Sequence, residues 1–302
     1  MEYKRHLLAA CLAAALGSSA ASARADCLSD TQVSEMVASF AARTPAATPQ
    51  ALSEADGECS RAKLHTLLEK RYGRVIGYKA GLTNPAVQKR FNYDRPVWGK
   101  LYEGMVLPGG ATVDAAFGAR PLFEADLLVR VKSDDINRAK TPMDVLLAID
   151  QIIPFIELPD LVVQAPQQLN GPAIAAINVG ARLGVAGTPI DVPVTRGERY
   201  AMLDGLRDMT VTLTSTGAGA NVGAVELSRG KGSDILDHPL NAVIWLAGAL
   251  AREGLAMKPG ELISLGSFSP LLPPKPGMTV TASYPGLPGD RQQVPSVSLS
   301  FR

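Results

Sequence analysis

Cysteine is scarce in this chain, three in 302 residues, so covalent cross-linking can supply one bridge at most. No sign of charge dominates either, because 30 basic and 29 acidic residues leave a net +1. With no basic stripe, nothing points to a nucleic-acid partner. The apolar stretch from Leu7 to Leu16 falls short of the roughly 20 residues that a spanning helix needs. There is no internal repeat, and nothing between residues 74 and 302 reads as a linker. Glycine and proline are plentiful, 28 and 22 residues, and fall between short apolar runs. That pattern suits a strand-rich globular core with tight turns.

The first 25 residues differ from the rest. A basic start (Lys4, Arg5, His6), the apolar stretch to Leu16 and small residues ending in Ala23-Arg24-Ala25 read as a secretory signal peptide cleaved before Asp26. The expected compartment is therefore the periplasm or the exterior, with no stable membrane span after cleavage. Cleavage removes Cys11 and leaves Cys27 and Cys59, which form a disulfide in an oxidising compartment or stay as two free thiols. Residues 26–73 read as an N-terminal helical segment. Ser29 to Gln32 match a capping box ahead of Val33, Met36, Val37 and Phe40, which predicts a helix over 31–43. A second helix is expected over Ser60 to Arg71. These helices form a cap or an oligomer contact, and His65 is expected on their polar side.

Residues 74–302 form the remaining domain. Val75 to Tyr78 and Leu122 to Val131 read as strands, and a helix over Pro142 to Gln151 follows. Strands return around Met209 to Thr216, a helix opens at Pro239, and strands at 262–265, 278–284 and 297–301 finish the core. Within the run Phe123, Ala125, Leu127, Val129 and Val131 stand Glu124 and Asp126. A strand points residues i and i+2 to the same face, so these carboxylates stand side by side. Like charges so placed, with Glu157 closing another apolar run, outline a site for a hard oxygen-ligand ion such as Mg2+ or Mn2+. The alternative is a strand whose polar face meets solvent.

A set of ordered blocks goes further. Gly77-Tyr78-Lys79-Ala80-Gly81-Leu82-Thr83, Trp98-Gly99, Met105-Val106-Leu107, Phe123-Glu124-Ala125-Asp126 and Pro154-Phe155-Ile156-Glu157 are followed by Pro239-Leu240, Trp245-Leu246-Ala247, Gly266-Ser267-Phe268-Ser269 and Lys275-Pro276-Gly277. In order and spacing they resemble the 2-keto-4-pentenoate hydratase and 4-oxalocrotonate decarboxylase branch of the fumarylacetoacetate hydrolase superfamily, over roughly residues 74 to 287. The resemblance implies an α+β fold, a mixed β-sheet roll with flanking helices. It also implies a homo-oligomer and a lyase that binds a small 2-oxo acid or its enol through Mg2+ or Mn2+. Glu124, Asp126 and Glu157 would be the metal ligands, and Lys79 the catalytic or substrate-binding lysine. A desolvated pocket near a dication would disfavour the charged form of Lys79 and ease proton transfer; the alternative is an ordinary surface lysine. Thr83, Ser267 and Ser269 offer hydroxyls to a substrate carboxylate, or only shape turns.

The stretch Leu82 to Gln88 has no histidine, which ranks the hydrolase arm of the superfamily last. Other departures from the pattern are Val97 where hydratase members carry an acid, Leu161 and Val162 after Glu157, Ile177 before Asn178, and aspartate rather than glutamate at 126. They imply a pocket shifted towards apolar character and poorer at holding water. Hydration of a 2-hydroxy-2,4-dienoate comes first among the implied reactions, with decarboxylation of an oxo diacid as the alternative. The rival class is an exported carboxylate-binding relative without turnover.

Overall fold

The computed structural model describes residues 26–217, 223–289 and 293–302. The signal-peptide reading and Cys11 lie outside the described residues. The strands are β1 (Val75–Gly81), β2 (Val97–Tyr102), β3 (Val106–Pro108), β4 (Thr112–Val113), β5 (Glu124–Val131), β6 (Ile149–Leu158), β7 (Leu183–Ala186), β8 (Ile190–Asp191), β9 (Thr210–Gly217), β10 (Val225–Lys231), β11 (Leu262–Ser264), β12 (Met278–Ser283) and β13 (Ser296–Phe301). One mixed sheet runs β2-β1-β11-β5-β6-β7-β3, with β8 against β6; the other runs β10-β9-β12-β13-β4.

The alternation in β5 decides how the sheets meet. Ala125, Leu127, Val129 and Val131 are buried, and they share one core with Leu213, Val280, Ala282, Leu299 and Phe301 of the second sheet. Burying each large aliphatic side chain contributes about 1.5–3 kcal/mol. The opposite face of β5 carries Glu124 and Asp126, then Leu128, which packs with Ile153 and Phe155. Site and core thus occupy opposite faces of one strand.

Helices α1 (Asp30–Ala42) and α2 (Glu54–Tyr72) both begin in capping boxes, Ser29 with Gln32 and Ser53 with Asp56. The second box starts α2 six residues before the expected Ser60, because Asp56 ties down the first turn. Val33, Met36, Phe40, Leu64 and Leu68 join a second core with Tyr102, Val163 and Ile174; α1 packs on α2, and α2 packs directly on β2 and on the short helix Gly171–Ala176.

The remaining helices are α3 (Pro85–Arg90), α4 (Pro142–Ala148), α5 (Gly171–Ala176), α6 (Arg196–Asp208) and α7 (Asn241–Arg252). Helix α4 ends at Ala148 rather than Gln151, since Ile149 already belongs to β6. Helix α6 has no counterpart in the sequence reading: only Met202 and Leu206 on it are buried, among charged neighbours. None of the described helices is long and apolar enough to cross a membrane.

Cys27 and Cys59 are joined as a disulfide, with Cα atoms 5.7 Å apart. It ties the segment ahead of α1 to α2 across a sequence separation of 32. Closing a loop of that length contributes about 3–4 kcal/mol through the unfolded state. Cys59→Ser should lower the stability of the oxidised protein by about that amount, measured by urea denaturation, and reductant should have no further effect on the variant. Equal midpoints for the two oxidised proteins would count against the bridge as a stabilising link.

Candidate functional site

Strand register brings the charged groups together. Glu124 on β5 pairs with Glu157 on β6. On the other side, Ser264 of β11 pairs with Leu128 of β5 and with Lys79 of β1. Paired residues share a face and i, i+2 residues repeat it, so Lys79, Ser264, Asp126, Glu124 and Glu157 all project to one side of the sheet. All are buried: Lys79 is 4% exposed, Glu124 5%, Asp126 0% and Glu157 2%.

The Lys79 ammonium pairs with Glu157 Oε1 and donates a hydrogen bond to the Val179 carbonyl at 2.9 Å. Asp126 turns the other way. Its Oδ1 accepts from the backbone N–H groups of Leu127 at 2.6 Å and Gly266 at 2.9 Å, and its Oδ2 accepts from the Ser264 hydroxyl. Gly266 stands at φ 103°, and a Cβ there would meet Thr83 Oγ1 at 2.0 Å, so only glycine brings that N–H to Asp126. Glu157 Oε2 is buried without a hydrogen-bond partner.

Three buried carboxylates against one lysine set the electrostatics. Burial, then the neighbouring Glu157, hold the Glu124 carboxyl well above the usual carboxylate range. Burial and Glu157 push Asp126 up to about 8 against the opposing hydrogen bonds from Ser264 and Leu127. Burial alone would disfavour the Lys79 ammonium, but Glu157 and Glu124 outweigh it and raise its pKa above the ordinary lysine value. In this arrangement the neighbours of Lys79 are anions, and they hold its charge.

The expected convergence of ligands is realised only in part. Among the described residues, no group of three or more His, Cys, Asp and Glu side chains is arranged to hold a metal ion. Asp126 is engaged with Ser264 and Gly266, and the ammonium of Lys79 stands against Glu157. Glu124 and Glu157 do face one another across the strand pair.

A cavity opens beside this cluster, lined by Lys79, Thr83, Glu124, Leu161, Val179 and Ser267 among others. Thr83 Oγ1 donates to the Leu265 carbonyl at 3.0 Å, and the Ser267 hydroxyl donates to the Ser269 carbonyl. Ser269 is elsewhere: its Oγ accepts from the Ala125 N–H at 2.9 Å, fastening the loop after β11 to β5, and it lines a neighbouring cleft.

Of the apolar departures, Leu161 lines the cavity. Val97, Val162 and Ile177 are packed in the core under the N-terminal helices, so the inference that all four make the pocket apolar does not hold. An acid at position 97 would enter packed hydrocarbon. Asp160 is structural, accepting from the N–H groups of Ala119 and Arg120 and pairing with Arg182 at 3.0 Å.

His65, expected on the polar side of its helix, is buried, and so is His238. His238 is 9% exposed and accepts from the Leu240 N–H at the start of α7. His65 is 4% exposed, and its Nε2 lies 2.8 Å from Asn178 Oδ1.

The sequence reading missed the turn that follows α5. Asn178, Val179 and Gly180 all take left-handed φ values, 56°, 54° and 65°. For a β-branched residue this conformation costs about 1–3 kcal/mol. It carries the carbonyl of Val179 onto Lys79. The trace left in the sequence is Asn-x-Gly, two residue types that tolerate this conformation.

No family model matches the chain. The chain is similar to the 2-keto-4-pentenoate hydratase of Burkholderia vietnamiensis (strain G4 / LMG 22486), at 31% identity over 214 residues, 71% of this chain and 76% of the relative. It is also similar to the 4-oxalocrotonate decarboxylase of Pseudomonas putida, at 27% identity over 235 residues, 77% of this chain and 82% of the relative. Among solved structures, the 4-oxalocrotonate decarboxylase from Pseudomonas putida G7, complexed with magnesium and adipate, superposes with a TM-score of 0.72 at 24% identity, covering 90% of this chain and 97% of the other. That likeness shows a shared α+β fold.

Proposed function

Because this chain belongs to the 2-keto-4-pentenoate hydratase and 4-oxalocrotonate decarboxylase branch of the fumarylacetoacetate hydrolase superfamily, we propose that it is a divalent-metal-dependent lyase. Its substrate is a small 2-oxo acid or its enol, and the reaction that heads the reading is hydration of a 2-hydroxy-2,4-dienoate. The observation that carries this is the buried patch of three carboxylates and one lysine beside a cavity. It lies on the strands that hold the family's motif blocks.

The residues fit a dication by charge. One buried Glu157 oxygen is unpartnered, and Glu124 and Asp126 are pushed towards their protonated forms, a cost that a bound cation relieves. We assign Glu124, Asp126 and Glu157 as its ligands, with Asp126 exchanging part of its hydrogen bonding to Ser264 and Gly266 for that place. Mg2+ and Mn2+ both suit an all-oxygen set, and magnesium in the similar decarboxylase supports the class of ion. When bound, the ion supplies Lewis-acid stabilisation of negative charge developing on the substrate's 2-oxo oxygen.

Lys79 does the proton work. Its ammonium lines the cavity and is aimed by Val179 O and Glu157, so Nζ can deliver a proton to the substrate's carbon chain and recover it afterwards. Thr83 and Ser267 are assigned to the substrate carboxylate, once their hydroxyls turn from the backbone carbonyls they now bond. The apolar wall at Leu161 favours decarboxylation of an oxo diacid as the second reading. Export to the periplasm belongs to the same proposal and is supported by the composition of residues 1–25 and by the disulfide.

The test is an assay of metal-stripped protein with 2-hydroxypentadienoate, 4-oxalocrotonate and a panel of acylpyruvates, with and without Mg2+ or Mn2+. Metal-dependent loss of the dienoate is expected. Binding without turnover of any of them would leave the carboxylate-binding relative in its place.

A further inference from the structure

We propose that His65, on α2 of the N-terminal helical segment, is a positioning residue for Lys79, acting through the left-handed turn at Asn178 to Gly180. This rests on the reading of Lys79 as the proton carrier. The Lys79 ammonium has two acceptors in this structure, Glu157 and the Val179 carbonyl. If Glu157 is committed to a metal ion, the Val179 carbonyl is the acceptor that still aims Nζ into the cavity.

That carbonyl faces β1 only because residues 178–180 stay left-handed, and Val179 does not adopt φ 54° unaided. The surroundings must hold it there. Room is made by two motif glycines. A Cβ on Gly81 would meet Val179 Cγ1 at 2.3 Å, and one on Gly99 would meet the Asn178 backbone and side-chain oxygens at 2.6 Å.

The holding is done by the side chain of Asn178. Its Oδ1 accepts from the Lys100 N–H at 2.7 Å and from His65 Nε2 at 2.8 Å, while its Nδ2 donates to the Lys100 carbonyl at 3.0 Å. The carbonyl-type Oδ1 can only accept, so Nε2 of His65 carries the proton. Burial, first of all, lowers the His65 pKa to about 3, and the ring is a neutral, constant donor in ordinary buffers.

The donor is itself fixed. The imidazole lies 5.5 Å from the indole of Trp98 between ring centroids, and the guanidinium of Arg61 sits 3.9 Å from that indole's centroid while pairing with Glu253. Helix α2 therefore reaches the reacting lysine through one hydrogen bond, one amide side chain and one strained peptide. The N-terminal helices complete the site, although none of their side chains lines the cavity.

The experiment compares the full chain with His65→Ala, His65→Gln and Asn178→Gly, each with Mg2+ present. In His65→Ala, kcat on 2-hydroxypentadienoate should fall about ten- to a hundred-fold, as for a misplaced reacting group, with KM and Mg2+ affinity changed by less than about threefold. Glutamine places an amide N–H where Nε2 stood, so His65→Gln should recover most of the loss. Independently of turnover, the rate at which an amine-reactive reagent labels Lys79, read by peptide mass spectrometry, should rise several-fold in His65→Ala and return in His65→Gln.

If His65→Ala fails to fold, Asn178→Gly removes the acceptor while leaving a residue at ease in the left-handed conformation, and the same changes in kcat and labelling are expected. Unchanged kcat and unchanged Lys79 labelling in a folded variant overturn the proposal. A wild-type protein that turns over none of the substrates overturns the lyase reading instead, and the labelling comparison still judges the role of His65.

Discussion

Lys79→Met should lower turnover of a 2-hydroxydienoate by about 10²- to 10⁴-fold, the range a positioned proton carrier contributes. It should also destabilise the metal-free protein by about 3–5 kcal/mol, the usual cost of removing one partner of a buried ion pair. Both effects come from the same placement. Lys79 is 4% exposed and its ammonium is the positive group that offsets Glu157 and Glu124, so methionine keeps the volume and deletes the charge. Mg2+ should raise the variant's melting temperature more than that of wild type, since a dication restores what the substitution removed. Wild-type turnover in a folded Lys79→Met protein would end the assignment of Lys79 as the proton carrier. An equal metal-induced shift in both proteins would instead place the ion away from Glu157.

The second large effect has opposite signs for stability and for function. Glu124→Gln should weaken Mg2+ binding by more than about 100-fold, beyond what changes to groups behind the ligands usually cost, and activity should fall with it. The metal-free variant should nevertheless be more stable than wild type by about 1–4 kcal/mol, as when other buried charges are replaced by neutral groups.

The sign with pH follows from linkage. Glu124 is raised well above 4.5 and Asp126 is raised from 3.8 to about 8, so the folded metal-free protein binds more protons than the unfolded chain within that window, and stability falls as pH rises. Buried His65 and His238 are lowered from 6.5 and act in the opposite direction below that value. The carboxylates are therefore isolated between pH 6.5 and about 8. Urea midpoints of metal-free protein should drop across this interval, less steeply in Glu124→Gln, and saturating Mg2+ should abolish the drop. A flat or rising profile without metal would show that the carboxylates are already ionised and balanced.

Local signals in the chain carry a good part of the architecture. Glu124 and Asp126 share a face because a strand repeats every two residues, whatever surrounds it, and the same rule buries Ala125, Leu127 and Val129 opposite them. Ser29 with Gln32 starts α1 within a residue of the expected place, because a capping box is a contact three residues long. Helix α6 carries a similar start signal, Thr195 three residues before Glu198, whose N–H the Thr195 hydroxyl accepts, but only Met202 and Leu206 behind it are buried, too thin an apolar stripe to mark a helix along the chain.

Partners distant in sequence were legible only through the ordered motif blocks and their resemblance to a family. Nothing local to Glu157 states that it pairs with Glu124, or that β11 seats Ser264 between Lys79 and Asp126. The fates of polar residues were the least legible. His65 and Ser269 are ordinary polar residues until α2 packs on β2 and the loop after β11 packs on β5, and Val97 looks like a pocket residue until that packing encloses it in hydrocarbon. Periodicity and capping depend on the geometry of a few successive residues and can be read along the chain. Register between distant strands, the burial of a histidine and a left-handed valine depend on contacts between segments as far apart in sequence as Lys79 and Ser264, whose combined free energy outweighs what each residue would prefer alone.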